Sequence, residues 1–162
     1  TRNDRETYAN IQDLLAENGV SSLAMNLSLG LNDRHGEYDC ATPHTHKHTD
    51  APKEIGFWLD WLKSQGAKKV TLMGHSRGGN QTAWFGVENN NPMIEKMILI
   101  APQTWDHGYM ATEYKKRYGQ DLSKLFKKAN KLVKSGQGDT MMKNIGFIYC
   151  ENTQATAEAF VD

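Results

Sequence analysis

The chain has 162 residues, enough for one domain with a substantial core. Its 19 Lys and Arg balance 19 Asp and Glu, so no net charge draws it toward nucleic acid or anionic lipid. A hydrophobic fraction of 38% with mean hydropathy −0.67 reads as a soluble, rather polar chain, and no run of about 18 apolar residues exists to span a membrane. The first residues, Thr1 to Glu6, are charged and lack the pattern of a signal peptide. They read as the middle of a protein rather than its true beginning, which leaves the compartment unassigned.

Residues 4 to 18 are predicted to be a helix, with Tyr8, Ile11, Leu14 and Leu15 on one stripe and Gly19 suited to end it. Val20 to Leu27 follows as a short apolar strand of the kind buried on both faces. A polar segment from Ser28 to Thr49 comes next, and then a helix over about 51 to 65 whose Ile55, Trp58, Leu59 and Leu62 share one face. Lys69 to Met73 is a second buried strand, Arg77 to Glu88 a helix, and Ile94 to Ala101 a third strand. This alternation predicts an α/β fold with a mainly parallel sheet and crossover helices. From 111 to 135 one amphipathic helical segment is expected, with lysines on its solvated face, and the last stretch offers IGFIY and a terminal helix over ATAEAF. That basic amphipathic face also has the composition of a lipid-surface helix, the less favoured reading. Cys40 and Cys150 are too few for a disulfide framework, and both are expected to be reduced.

The chemistry concentrates at Gly74-His75-Ser76-Arg77-Gly78, a G-x-S-x-G match between a buried strand and a helix. A sharp strand-to-helix turn holds the serine in an unusual backbone conformation, so its neighbours two before and two after must be small. Gly74 and Gly78 meet that demand, and Gly79 adds room. The turn lifts the Ser76 hydroxyl off the sheet, and the Arg77 N–H at the helix start suits an oxyanion donor. A tight turn without catalysis is the plainer alternative.

With these elements the chain resembles the α/β-hydrolase superfamily, in particular small bacterial members, over roughly residues 4 to 162. The pieces that carry the resemblance are Ala24-Met25-Asn26-Leu27-Ser28-Leu29-Gly30, the elbow, and Leu99-Ile100-Ala101-Pro102. It implies a hydrolase of ester, amide or thioester bonds acting on a small molecule without a cofactor. It also implies an eight-stranded, mostly parallel sheet with a helical lid after the sixth strand. On this alignment the three expected strands are the fourth to sixth, residues 1–106 are a partial core, and 107–162 are the lid. The strands that would carry the triad acid and histidine are absent, so the chain reads as a fragment that is inactive alone. Some relatives place the acid at the end of the sixth strand, and Asp106, just beyond it, is a candidate acid with a loop or lid-hinge role as the plainer alternative. His107 lies too early to serve as the base.

Residues 35 to 48 hold His35, Cys40, His44, His46 and His48. An extended His44-x-His46-x-His48 would put three imidazoles on one side, and with Cys40 they could form a tetrahedral zinc site. The spacing matches no common zinc signature, so no metal is expected. The loop leaves the carboxyl end of a strand, the edge where α/β sheets bind ligands. His44 and His46 are therefore expected to face the substrate, with Trp105 as a pocket wall and Asn26, Ser28 and Asp33 shaping the loop. The main competing function is that of a non-catalytic α/β-hydrolase-like binding protein.

Overall fold

The computed structural model describes residues 3–162. Its first half follows the predicted rhythm apart from the first strand: α1 Glu6–Glu17, α2 Ala51–Ser64, β1 Val70–His75, α3 Arg77–Glu88 and β2 Ile94–Ile100. A 3-10 turn, His48–Asp50, leads into α2, with Pro52 in the first turn where its missing N–H costs nothing. β1 and β2 are parallel, paired from Val70↔Ile94 to His75↔Ile100, and α3 makes the crossover between them. Ile55, Leu59 and Phe85 form the buried centre here, packed by Met25, Leu27, Val70, Leu72 and Ile94.

The strand expected over Val20 to Leu27 does not form, and among the described residues the parallel sheet has two strands. The reason lies in where this segment's backbone groups find partners. The Ala24 carbonyl accepts from Asn3 Nδ2, the Leu27 carbonyl from Arg34 Nε at 2.8 Å, and the Ser28 N–H donates to Glu54 at 2.6 Å. Side chains take the place of a neighbouring strand. Met25 and Leu27 still reach the core, which is why the segment looked like a strand.

The second half departs further from expectation. The segment read as one helix is two, α4 His107–Tyr118 and α5 Leu122–Lys134, broken at Gly119, whose φ of 68° ends α4 in the left-handed region. Beyond them, residues expected as part of a helical lid form an antiparallel hairpin, β3 Met141–Phe147 with β4 Cys150–Thr156, followed by α6 Ala157–Val161. Two irregularities hid the hairpin. The register shifts around Ile145, where Asn144 takes φ 55°, so the alternation of buried and exposed residues is broken. Its two-residue turn places Ile148 at φ 58°, where glycine would have announced a turn. A second core of Leu122, Ala129, Met142, Ile145, Ala155, Ala157 and Phe160 holds this half together.

The 38–49 loop fastens the two halves. Cys40 and Cys150 form a disulfide with Cα atoms 5.5 Å apart, which corrects the expectation of reduced thiols. Their sequence separation of 110 hid the pairing; the hairpin brings them together. Around the bridge, the Tyr149 hydroxyl donates to the Tyr38 carbonyl at 2.6 Å and Thr153 Oγ1 to the Cys40 carbonyl at 2.7 Å. His44 adds a parallel bridge to Ala155, its N–H donating to the Gln154 carbonyl at 2.8 Å. Thr49 closes the seam, donating from its N–H and Oγ1 to the Asp162 carboxylate.

Candidate active site

Ser76 stands where β1 ends and α3 begins, with φ 54° and ψ −122°. A non-glycine residue in that region is strained, so the surroundings must hold it there. Three backbone bonds do so. The Ser76 N–H donates to the Ile100 carbonyl at 3.0 Å, continuing the sheet ladder, while its carbonyl accepts from Asn80 at 3.2 Å and Gln103 at 2.9 Å. The residue is half-buried, and its Oγ has no hydrogen-bond partner among the described residues. Arg77 occupies the first position of α3, where a backbone N–H has no acceptor within its own helix.

The elbow's glycines are not equivalent. A Cβ on Gly74 would collide with the Gly78 carbonyl and sit 2.5 Å from Thr82 Oγ1. One on Gly79 would press to 3.0 Å from Pro102 Cα, whereas one on Gly78 would meet nothing within 4 Å. The tight packing expected at Gly78 therefore falls on Gly79, because α3 presses its second glycine against the chain leaving β2. His75 points outward, its Nδ1 3.2 Å from the Tyr8 hydroxyl.

The histidines separate into two environments. His44 and His46 are buried, at 0% and 4% exposure. Tyr38 stacks on His44 at 4.2 Å between ring centres, and Phe147 meets His44 edge-on at 5.0 Å. Burial, aided by the positive charge of Arg77, pushes both imidazoles down to about 4, so both are neutral at pH 7. None of their four ring nitrogens has a hydrogen-bond partner among the described residues. Rather than lining an open surface, they sit under the hairpin. His48 instead accepts from Arg77 Nε at Nδ1, 3.0 Å away, and pairs through Nε2 with Asn80 Oδ1 at 2.8 Å. With Cys40 in a disulfide and His48 so engaged, the imagined zinc set is not assembled, and no group of three or more His, Cys, Asp or Glu suited to a metal occurs among the described residues.

Of the loop-shaping residues, Asn26 Nδ2 donates to the Arg34 carbonyl, Ser28 Oγ to Glu54, and Asp33 pairs with His35 in an exposed contact. Asp106 caps α4, its carboxylate accepting from the Tyr109 N–H at 2.8 Å. Trp105 is 58% exposed and rests edge-on against Phe126, with ring centres 5.9 Å apart. His107 lies against the same Phe126 ring. Two surface hollows of about 510 and 450 Å³ lie on α4 and α5, lined by Lys115 and Lys116 in one and Lys127, Lys131 and Lys134 in the other; Ser76 borders neither. Sequence reasoning missed the contact of His48 with Arg77, since the regular spacing of His44, His46 and His48 suggested one shared role.

Residues 5–154 match the model of a family described as serine aminopeptidase, S33, a family of α/β-hydrolases. No curated protein matches the chain, and no solved structure does.

Proposed function

The chain belongs to the serine aminopeptidase family, and on that premise we propose that it is a serine hydrolase with Ser76 as its nucleophile. The observation that carries this reading is the backbone of Ser76: a strained φ of 54° at a strand-to-helix turn, held by three main-chain hydrogen bonds. Strain of about 1 to 3 kcal/mol at one residue is maintained where it serves a purpose. In the proposed reaction Ser76 Oγ attacks the carbonyl carbon of a small ester, amide or thioester, and the Arg77 N–H hydrogen-bonds the oxyanion that forms. The family's description, an aminopeptidase, favours an amide among these. No cofactor or metal enters the scheme.

The general base and its acid belong, in this proposal, to residues outside these 162, in a longer enzyme. Two observations support that: Ser76 Oγ is hydrogen-bonded to no imidazole among the described residues, and β2 leaves Met97, Ile98, Leu99 and Ile100 between 39% and 47% exposed. The alternative acid from within the chain is Asp106, which caps α4 and would have to give up that role. The division into a partial core, 1–106, and a lid, 107–162, is supported by two hydrophobic clusters that share no residue.

Incubation of the longer protein with a fluorophosphonate probe tests the reading. Covalent label on Ser76, absent from Ser76→Ala, is expected. An unlabelled serine would leave a binding protein that keeps the elbow as architecture. Hydrolysis of p-nitrophenyl acetate by the 162-residue chain alone, abolished by Ser76→Ala, would overturn the claim that the partners lie elsewhere.

A further inference from the structure

His48 connects the 28–49 loop to the elbow. Four side chains of α3 surround it: Arg77, Asn80, Gln81 and Trp84, spaced i, i+3, i+4 and i+7 on one helix face that begins directly after Ser76. Arg77 Nε donates to His48 Nδ1 at 3.0 Å, and Gln81 Nε2 approaches the same nitrogen at 3.3 Å. Since Nδ1 accepts, the ring proton sits on Nε2 and is donated to Asn80 Oδ1 at 2.8 Å. The Trp84 ring stacks on the imidazole, with centres 5.7 Å apart and planes 26° apart. One tautomer of the neutral ring satisfies every contact.

We propose that His48 is a positioning residue for the nucleophile: its neutral imidazole fixes the Arg77 side chain, and thereby the first turn of α3 that carries the oxyanion-binding N–H. The inference rests on the reading of Ser76 as nucleophile. A half-buried guanidinium must find acceptors, and the bond from Nε to His48 is the one recorded for Arg77 among the described residues. Protonating His48 would set an N–H and a positive charge against the Arg77 N–H at that same separation. The contact therefore exists only while His48 is neutral. The groups that face the ring decide its charge: burial and Arg77 favour the neutral form, while the Asn80 bond and the Asp162 carboxylate from the end of α6 favour the protonated one. Burial prevails, and His48 titrates below 6.5.

Two measurements test this. In the longer protein, the rate of fluorophosphonate labelling at Ser76 is followed from pH 4 to 9 for the native enzyme, His48→Ala and His48→Asn. We expect His48→Ala to label about tenfold more slowly. We expect His48→Asn to recover most of that rate, because its Oδ1 can accept from Arg77 as Nδ1 does. The native rate should fall on acidification in two parts: the titration of the general base, kept in every variant, and a further loss as His48 is protonated, which should be missing in His48→Asn and which a merely structural role would not produce. In the 162-residue chain, tryptophan fluorescence should be quenched on acidification through the same range, and the step should be lost in His48→Asn and Trp84→Phe. Native labelling rates with a native acid limb in both His48 variants, or a fluorescence step that survives His48→Asn, would overturn the proposal. A native enzyme that never labels sinks the hydrolase reading instead, and the fluorescence step then decides the contact alone.

Discussion

Gly74 and Gly78 are identical letters in the elbow motif with opposite structural demands. Gly74→Ala forces a methyl group into backbone and should cost about 1 to 3 kcal/mol, and more if β1 cannot shift. Gly78→Ala meets open space inside a helix and should gain about 0.5 to 1 kcal/mol. Thermal melts of the two variants give the comparison, and equal shifts would contradict the packing described. The strand-to-helix turn at Ser76 was legible from sequence because its glycines and its setting are local. The exchange of roles between Gly78 and Gly79 was not, because it depends on Pro102, which the chain brings back only after β2. The disulfide was hidden for the same reason, on a larger scale.

Among the elements, the segment around His44 makes the clearest energetic statement. Folding lowers both His44 and His46 from 6.5 to about 4, so the unfolded chain takes up protons first as the solution is acidified. Their contribution is complete above pH 6.5 and is lost as pH falls toward 4, by about 3 kcal/mol each at the lower limit. Against a typical total of about 5 to 15 kcal/mol, two such losses are large. Denaturant midpoints at pH 7, 5.5 and 4 should fall steadily, and less steeply in His46→Phe; a flat series would show that these rings do not titrate as their burial requires. Helices α1 and α2 were legible in their apolar stripes and α3 in its place after the elbow, to the residue, whereas α4 and α5 were read as one because their apolar positions run on past the break at Gly119. The hairpin was not, since a register shift at Ile145 and a positive φ at Ile148 erased the alternation and the turn signal on which such a reading depends.

At the scale of the molecule, two hydrophobic clusters are joined by a seam of loop and hairpin rather than by a shared core. The Cys40–Cys150 bridge closes a loop of 110 residues, for which the chain-entropy argument gives about 4 to 5 kcal/mol. Replacing both cysteines by serine should lower stability by an amount of that order, measured as the shift in denaturant midpoint between oxidised native protein and the double variant. A difference under about 1 kcal/mol would mean that the seam's hydrogen bonds already do the fastening. The β1–β2 pair, by contrast, leaves the apolar Met97–Ile100 run between 39% and 47% exposed.

The position of the bridge also governs what a protease would leave behind. The connection from β2 to α4 is exposed from Ala101 to Tyr109, with Trp105 well out in solvent, while both cysteines lie elsewhere in the chain. A single cut in that stretch would yield two polypeptides still tied covalently, one bearing Cys40 and the elbow, the other Cys150 and the hairpin. On a gel they should run as one band without reductant and as two with it. The nicked molecule should keep Ser76 and its three main-chain bonds within a single piece except for the bond from Gln103, so cleavage on the far side of that residue would spare the elbow entirely.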